Sequence, residues 1–205
     1  MIGVIDYGLG NIRAFSNIYK SFDIPHRIIT QKHELSGIEK IILPGVGAFD
    51  DAMKKFNTSG MRNTVEKMVF ENKIPILGVC VGLQMLGNSS DEGVEEGLGW
   101  IDANVKVLDT EKVSHSTKLP HMGWNTINII NKEELLFNGI HDKKRFYFLH
   151  SYYFDCNHEE DILTLTNYGF NFASSAKKGN IYGVQFHPEK SLENGEKLLF
   201  NFAKI

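Results

Sequence analysis

Cys80 lies in the run Pro75-Ile-Leu-Gly-Val-Cys80-Val-Gly-Leu-Gln84, and far downstream His187 lies in Gly183-Val-Gln-Phe-His187-Pro-Glu189-Lys190. A thiolate attacks carbonyl carbon, a histidine takes and returns the proton, and a carboxylate holds the imidazole in one orientation. The pattern Gly78-x-Cys80-x-Gly82 fits a sharp strand-to-helix turn with the nucleophile at its tip. Its glycines leave room where a side chain would clash. A helix starting just after the cysteine favours thiolate and aims free N–H groups at developing negative charge. The plain alternative is a small buried cysteine at a strand end. His187 and Glu189 are two residues apart, so an extended chain projects both side chains to one side. Pro188 keeps residue 187 out of helix. Here the plain alternative is a strand-end turn with a solvated glutamate. None of the seven other histidines has both a carboxylate two residues away and a strand leading into it.

These groups need a scaffold. The first half alternates strand and helix signals: strands at Ile2–Ile5, His26–Thr30, Lys40–Leu43 and Ile74–Val79, helices at Asn11–Phe22, Ala48–Phe56, Met61–Asn72 and Val81–Leu86. Such alternation predicts a parallel sheet flanked by helices. From about Asn104 strand-like runs follow one another: Asn104–Leu108, Trp124–Ile130, Arg145–Phe154, Ile162–Thr166, Phe172–Ala176 and Ile181–Phe186. Leu192–Ala203 returns to helix. The expectation is a three-layer α/β fold with a mostly parallel central sheet and extra antiparallel strands in the second half. With no repeat and no low-complexity linker, residues 1–205 are expected to form a single domain. The polar stretch Asp109–Lys118 is the expected mobile loop.

Composition narrows the classes of function. A net charge of −3 gives no sign of the basic face that nucleic acid requires. No apolar run approaches the roughly 18 residues of a membrane span. Met1-Ile-Gly-Val-Ile5 lacks a basic flank and reads as a first strand, not a signal peptide. Cys80 and Cys156 make no disulfide framework and show no paired ligand spacing, so the expectation is a cytoplasmic chain without a metal site.

Gly-Val-Cys-x-Gly-x-Gln with a distant Gln-Phe-His-Pro-Glu resembles the class I, triad-type glutamine amidotransferases. Asp6-Tyr-Gly-Leu-Gly-Asn11, Leu43-Pro-Gly-Val-Gly47, Pro120-His-Met-Gly-Trp-Asn125 and Phe148-Leu-His-Ser-Tyr152 are similar to those of the glutaminase subunits of imidazole glycerol phosphate synthases. The resemblance spans essentially the whole chain. It implies hydrolysis of L-glutamine without a cofactor, and transfer of the ammonia to a (β/α)8-barrel cyclase subunit in a heterodimer for histidine biosynthesis. It implies Cys80 as nucleophile, His187 as base then acid, and Glu189 as the group that orients the imidazole. Backbone N–H groups at Val81 and at Val46 or Gly47 would form the oxyanion hole. Gln84, Glu92, His150, Ser151 and Tyr152 would bind substrate, Glu92 facing the α-ammonium. Asn11, Met122, Trp124 and Lys190 would meet the partner.

Plain alternatives stand beside several of these. Glu92 reads equally as one acid of a solvated loop, His150 as a satisfied core histidine, Trp124 as a core aromatic and Asn11 as a helix cap. Three other functions compete: a paralogous glutaminase feeding a barrel-type synthase that amidates a surface sugar, a different hydrolase with a cysteine on its elbow, and a non-catalytic regulatory subunit. The hydrolases usually place histidine soon after the nucleophile. A regulatory derivative would be expected to have lost one of Cys80, His187 and Glu189.

Overall fold

The computed structural model describes residues 1–113 and 118–205. The expected mobile loop Asp109–Lys118 therefore falls partly outside the described residues. The first half runs β1 (Ile2–Ile5), α1 (Ile12–Ser21), β2 (His26–Ile29), β3 (Lys40–Gly45), α2 (Phe49–Thr58), α3 (Arg62–Phe70), β4 (Ile76–Cys80) and α4 (Val81–Met85). The second half runs β5 (Ser89–Ser90), β6 (Ala103–Val107), β7 (His121–Thr126), β8 (Asn128–Ile129), β9 (Arg145–His150), β10 (Tyr152–Cys156), β11 (Ile162–Asn167), β12 (Asn171–Lys178), β13 (Ile181–Val184) and α5 (Leu192–Lys204).

Among the described residues, eleven strands form one sheet along the path β2-β1-β3-β4-β13-β12-β10-β6-β5, with β11 on β12 and β8 on β11. From β2 through β13 the pairing is parallel. At β12 it turns antiparallel and stays so through β10 and β6. β1, β4 and β13 are buried at every residue. They are covered on both faces, so they read as continuous apolar runs and not as alternating ones. The helices carry the complementary stripe. α2 buries Phe49, Ala52, Met53 and Phe56, the spacing of one helical face. α1 buries Ile12, Phe15 and Tyr19 and packs beside α5. Among the described residues, no helix is long and apolar enough to cross a membrane.

A separate ribbon, β7 paired with β9, lies apart from this sheet. Two strands differ from expectation. The run Arg145–Phe154 breaks at Ser151, and its halves β9 and β10 join different sheets. The run Trp124–Ile130 begins three residues earlier, at His121, and breaks at Ile127. Gln185 and Phe186 lie beyond β13, and the short strand β5 had no periodic signal. The inner face of the ribbon, Phe146 and Phe148, packs on Phe186 with ring centroids 4.2 and 5.6 Å apart. Its outer face presents Met122, Trp124 and Leu149, which are exposed.

Candidate active site

Three neighbouring parallel strands end at the same edge of the sheet. In register, Gly45 at the end of β3 sits beside Cys80 at the end of β4. On the other side Val79 pairs with Val184, the last residue of β13, and three residues later comes His187. The chain thus delivers the Gly45–Gly47 turn, the thiol and the imidazole to one place, at the carboxyl edge where open parallel sheets bind ligands.

Cys80 has φ +55° and ψ −111°, a left-handed conformation for a residue with a side chain. Such a backbone costs on the order of 1–3 kcal/mol and persists only where the surroundings hold it. Here glycines permit the holding. A Cβ on Gly82 would overlap the Leu43 carbonyl oxygen, and one on Gly45 would overlap the Gly82 nitrogen. α4 therefore starts directly against β3, and Val81 is its first residue. The N–H groups of a first helical turn lack intrahelical partners.

The Cys80 sulfur is buried and, among the described residues, has three polar neighbours. It lies 3.8 Å from the Leu149 carbonyl oxygen, to which the thiol donates. Gln185 Nε2 donates to it at 3.8 Å, and His187 hydrogen-bonds to it. His187 Nδ1 and Glu189 Oε1 are 2.9 Å apart, with side chains only 3% and 2% exposed. Burial works against the imidazolium, yet the hydrogen bonds and charges of Cys80 and Glu189 outweigh it and raise His187 to about 10. A charged imidazole held between a carboxylate and a sulfur favours a thiolate–imidazolium pair, the starting state for attack on a carbonyl.

The local geometry of the second motif differs from expectation. His187 is extended, but Pro188–Lys190 forms a 3-10 turn with proline in its first position. Proline suits that position because its missing N–H is not needed there. Glu189 thus reaches His187 across a tight turn and not along a strand. Ser191 closes the turn. Its hydroxyl donates to the His187 carbonyl oxygen at 2.6 Å and accepts from the Tyr147 N–H at 2.9 Å. The His187 N–H donates to the Tyr147 carbonyl oxygen at 2.8 Å.

A pocket of about 270 Å³ opens over the sulfur. Val46, Gly47, Val81, Gln84, Glu92, His150, Ser151, Tyr152 and Lys190 all line it with Cys80 and His187. Pro120 and Leu149 also line it, unforeseen from sequence. Glu189 lies behind His187. Glu92 is neither a solvated acid nor a free one. Its Oε2 accepts from the Phe49 N–H at 2.9 Å, giving the N-terminus of α2 the anion it favours. Asp50 holds the same loop through the N–H groups of Val94 and Glu95. His150 is both a pocket residue and a satisfied core histidine, bonded to His121 at 2.9 Å and to the Tyr152 carbonyl oxygen at 2.8 Å. Burial and His121 push it down to about 3, so it is neutral.

Met122 and Trp124 stand outside the pocket at 63% and 39% exposure, so the core-aromatic reading of Trp124 does not hold. Asn11 is exposed at the start of α1 and its side chain makes no capping bond. Lys190 Nζ sits 5.7 Å over the Tyr147 ring. Sequence reasoning passed over three buried supports. Gln185 lies inside the Gly183–Lys190 stretch, where its strand spacing gives no sign of a role. Tyr7 donates to the Pro44 carbonyl oxygen at 2.7 Å and so braces the Gly45–Gly47 turn. Ser191 was the third.

A family model described as glutamine amidotransferase class-I matches residues 4–205. The imidazole glycerol phosphate synthase subunit HisH of Leptospira borgpetersenii is 47% identical over 205 residues, covering 100% of both chains. The HisH subunit of Bdellovibrio bacteriovorus is 49% identical with the same coverage. Among solved structures, a glutamine amidotransferase superposes with TM-score 0.75 at 20% identity, covering 100% of this chain and 99% of its own. PurLQS from Thermotoga maritima gives TM-score 0.76 at 16% identity, over 99% of this chain and 97% of its own. At such identities these two structures speak for the fold alone, whereas the full-length curated relatives carry the finer assignment. By fold, by motif and by full-length similarity, the chain belongs to the class I glutamine amidotransferases, and within them to the HisH family of imidazole glycerol phosphate synthase subunits.

Proposed function

We propose that this chain is the glutaminase subunit of an imidazole glycerol phosphate synthase. It hydrolyses L-glutamine to glutamate and passes ammonia to a (β/α)8-barrel cyclase in a cytoplasmic heterodimer. The observation that carries this reading is the line Cys80–His187–Glu189, buried at the edge where β3, β4 and β13 end.

The Cys80 thiolate attacks the side-chain carboxamide carbon of glutamine. The carbonyl oxygen becomes an oxyanion, for which the N–H of Val81 and one from Val46 or Gly47 are the donors. One such donor contributes roughly 3–4 kcal/mol in enzymes of this type. The His187 imidazolium gives its proton to the departing nitrogen, and the C–N bond breaks to leave ammonia and a glutamyl thioester. Neutral His187 then takes a proton from water. The hydroxide adds to the thioester, the C–S bond breaks, and glutamate leaves with Cys80 and His187 restored. Glu189 holds Nδ1 throughout, so that Nε2 faces the sulfur. Gln84, Ser151, Tyr152 and the part of Glu92 not engaged with Phe49 hold the amino-acid end of the substrate.

The partner meets the outer face of the ribbon, through Met122, Trp124 and Lys190, with Asn11 at the start of α1. Exposed apolar groups on a ribbon whose Leu149, paired with Met122, lines the pocket mark such a contact. Glutamate release is the test, measured with and without the cyclase and its ribonucleotide substrate. Strong stimulation is expected. Cys80→Ala should abolish glutamine-dependent synthesis while ammonia-dependent synthesis by the cyclase continues. Glutamate release surviving in Cys80→Ala overturns the nucleophile, and an unstimulated wild type overturns the pathway.

A further inference from the structure

Gln185 is completely buried and its side-chain amide abuts the sulfur. Which end of that amide faces Cys80 follows from its neighbours, because a backbone carbonyl oxygen can only accept. The Tyr152 carbonyl oxygen takes Gln84 Nε2 at 3.2 Å. Gln84 therefore turns its NH₂ group to this junction. The same NH₂ group lies 3.3 Å from the Gln185 amide, so the Gln185 atom it meets is the oxygen. The NH₂ group of Gln185 is then directed at Cys80.

The junction is fixed from its far side too. His150 Nδ1 lies 2.8 Å from the same Tyr152 oxygen and must donate to it. His150 Nε2 is thereby an acceptor, and His121 Nδ1 donates to it at 2.9 Å. His121 Nε2 accepts from Asn125 Nδ2 at 3.1 Å. Every link has one direction, from β7 inward to the Tyr152 carbonyl. His187, with Glu189 behind it, and Tyr7 interact electrostatically with Cys80, and Glu92, His150, Tyr152 and Lys190 line the pocket over the sulfur.

We infer that Gln185 is a positioning residue whose NH₂ group donates to the Cys80 thiolate and holds it in line for attack, aimed by Gln84 and the Asn125–His121–His150–Tyr152 chain. The inference rests on the glutaminase reading above. It also explains how one sulfur is held in two states. As a thiol it donates to the Leu149 carbonyl oxygen. As a thiolate it is repelled by that oxygen and drawn to Gln185 and His187.

The test follows alkylation of Cys80 by iodoacetamide across pH in the full chain, with Cys80→Ala as background for Cys156. Gln185→Met keeps the length and removes the donor. It is expected to raise the alkylation midpoint by about one pH unit, a tenfold change in ionisation, and to lower kcat for glutamine more than it changes KM. Gln185→Glu, with a carboxylate at the same place, is expected to move the midpoint further. A wild-type alkylation profile in Gln185→Met overturns the inference. Should neither variant fold, the ¹⁵N-labelled unaltered protein decides it: the Gln185 side-chain amide resonance should titrate with the Cys80 midpoint, and a resonance flat through that range overturns the inference. Failure here, with Cys80→Ala still inactive on glutamine, removes only the role of Gln185. Activity in Cys80→Ala removes the glutaminase reading itself.

Discussion

One methyl group separates two kinds of glycine at this site. On Gly82 it would strike the Leu43 carbonyl oxygen, whereas on Gly47, at φ +84°, it would meet nothing within 4 Å. Gly82→Ala must push α4 off β3, so it should destabilise the fold by about 1–3 kcal/mol, as overpacking does. A drop in the urea midpoint together with loss of glutamate release is the expected result. Gly47→Ala strains only its own backbone, by about 1–2 kcal/mol, and should impair turnover more than stability. His150 makes a separate contribution. Its pKa falls from 6.5 to about 3, so its share of stability is complete above pH 6.5 and lost as pH falls through about 3. His150→Asn should flatten that acid limb in chemical denaturation, and an unchanged limb would refute the assignment. At this scale residue types were legible and their partners were not. Cys80, His187 and Glu189 carry their chemistry in their identity and in flanking glycine or proline. Glu92 finds the Phe49 N–H only because residues 92–95 fold back on α2, and nothing local to Glu92 encodes that contact.

The ribbon of β7 and β9 works as a two-sided element. Its inner face supplies Phe146 and Phe148 to the core, and its outer face leaves Met122, Trp124 and Leu149 in solvent. Replacing Met122 and Trp124 together by serine should weaken cyclase binding and abolish stimulation while basal glutamate release stays at the wild-type rate. Titration of the cyclase against each form, with glutamate release as readout, checks both halves. Ser191 ties this ribbon to the turn that carries His187 and Glu189. Ser191→Ala leaves the Tyr147 N–H without its acceptor, which costs about 1–3 kcal/mol, and frees the turn. Lower stability with reduced kcat is expected, and full activity would mean that the turn holds itself. Helices and buried strands were legible to within a few residues, because their apolar spacing is strong. The run Arg145–Phe154 misled because its residues all suit a strand. What divides it is the change of sheet at Ser151, a tertiary event without a local breaker such as glycine or proline.

At the scale of the whole molecule, the alternating first half foretold a parallel sheet, and the second half its antiparallel extension. Strand order was not legible. β13, from near the end of the chain, inserts beside β4, and only that placement makes His187 a neighbour of Cys80. The same placement governs alkaline stability. His187 is raised from 6.5 to about 10, so its contribution is complete below pH 6.5 and lost as pH rises through about 10. His187→Gln should erase that limb from the denaturation midpoint plotted against pH, and should leave the acid limb of His150 in place. The central position of β4 has one more consequence. Its backbone is paired with a strand on both sides, β3 and β13, while among the described residues β7 and β9 pair as strands only with each other. In deuterated water the amides of Ile76–Cys80 should be among the last to take up label, and those of the ribbon should exchange sooner. Cys80 would then lie in the most slowly opening part of the fold and the ribbon proposed as the docking face in a faster one, so that a partner could exchange on the ribbon without disturbing the sulfur.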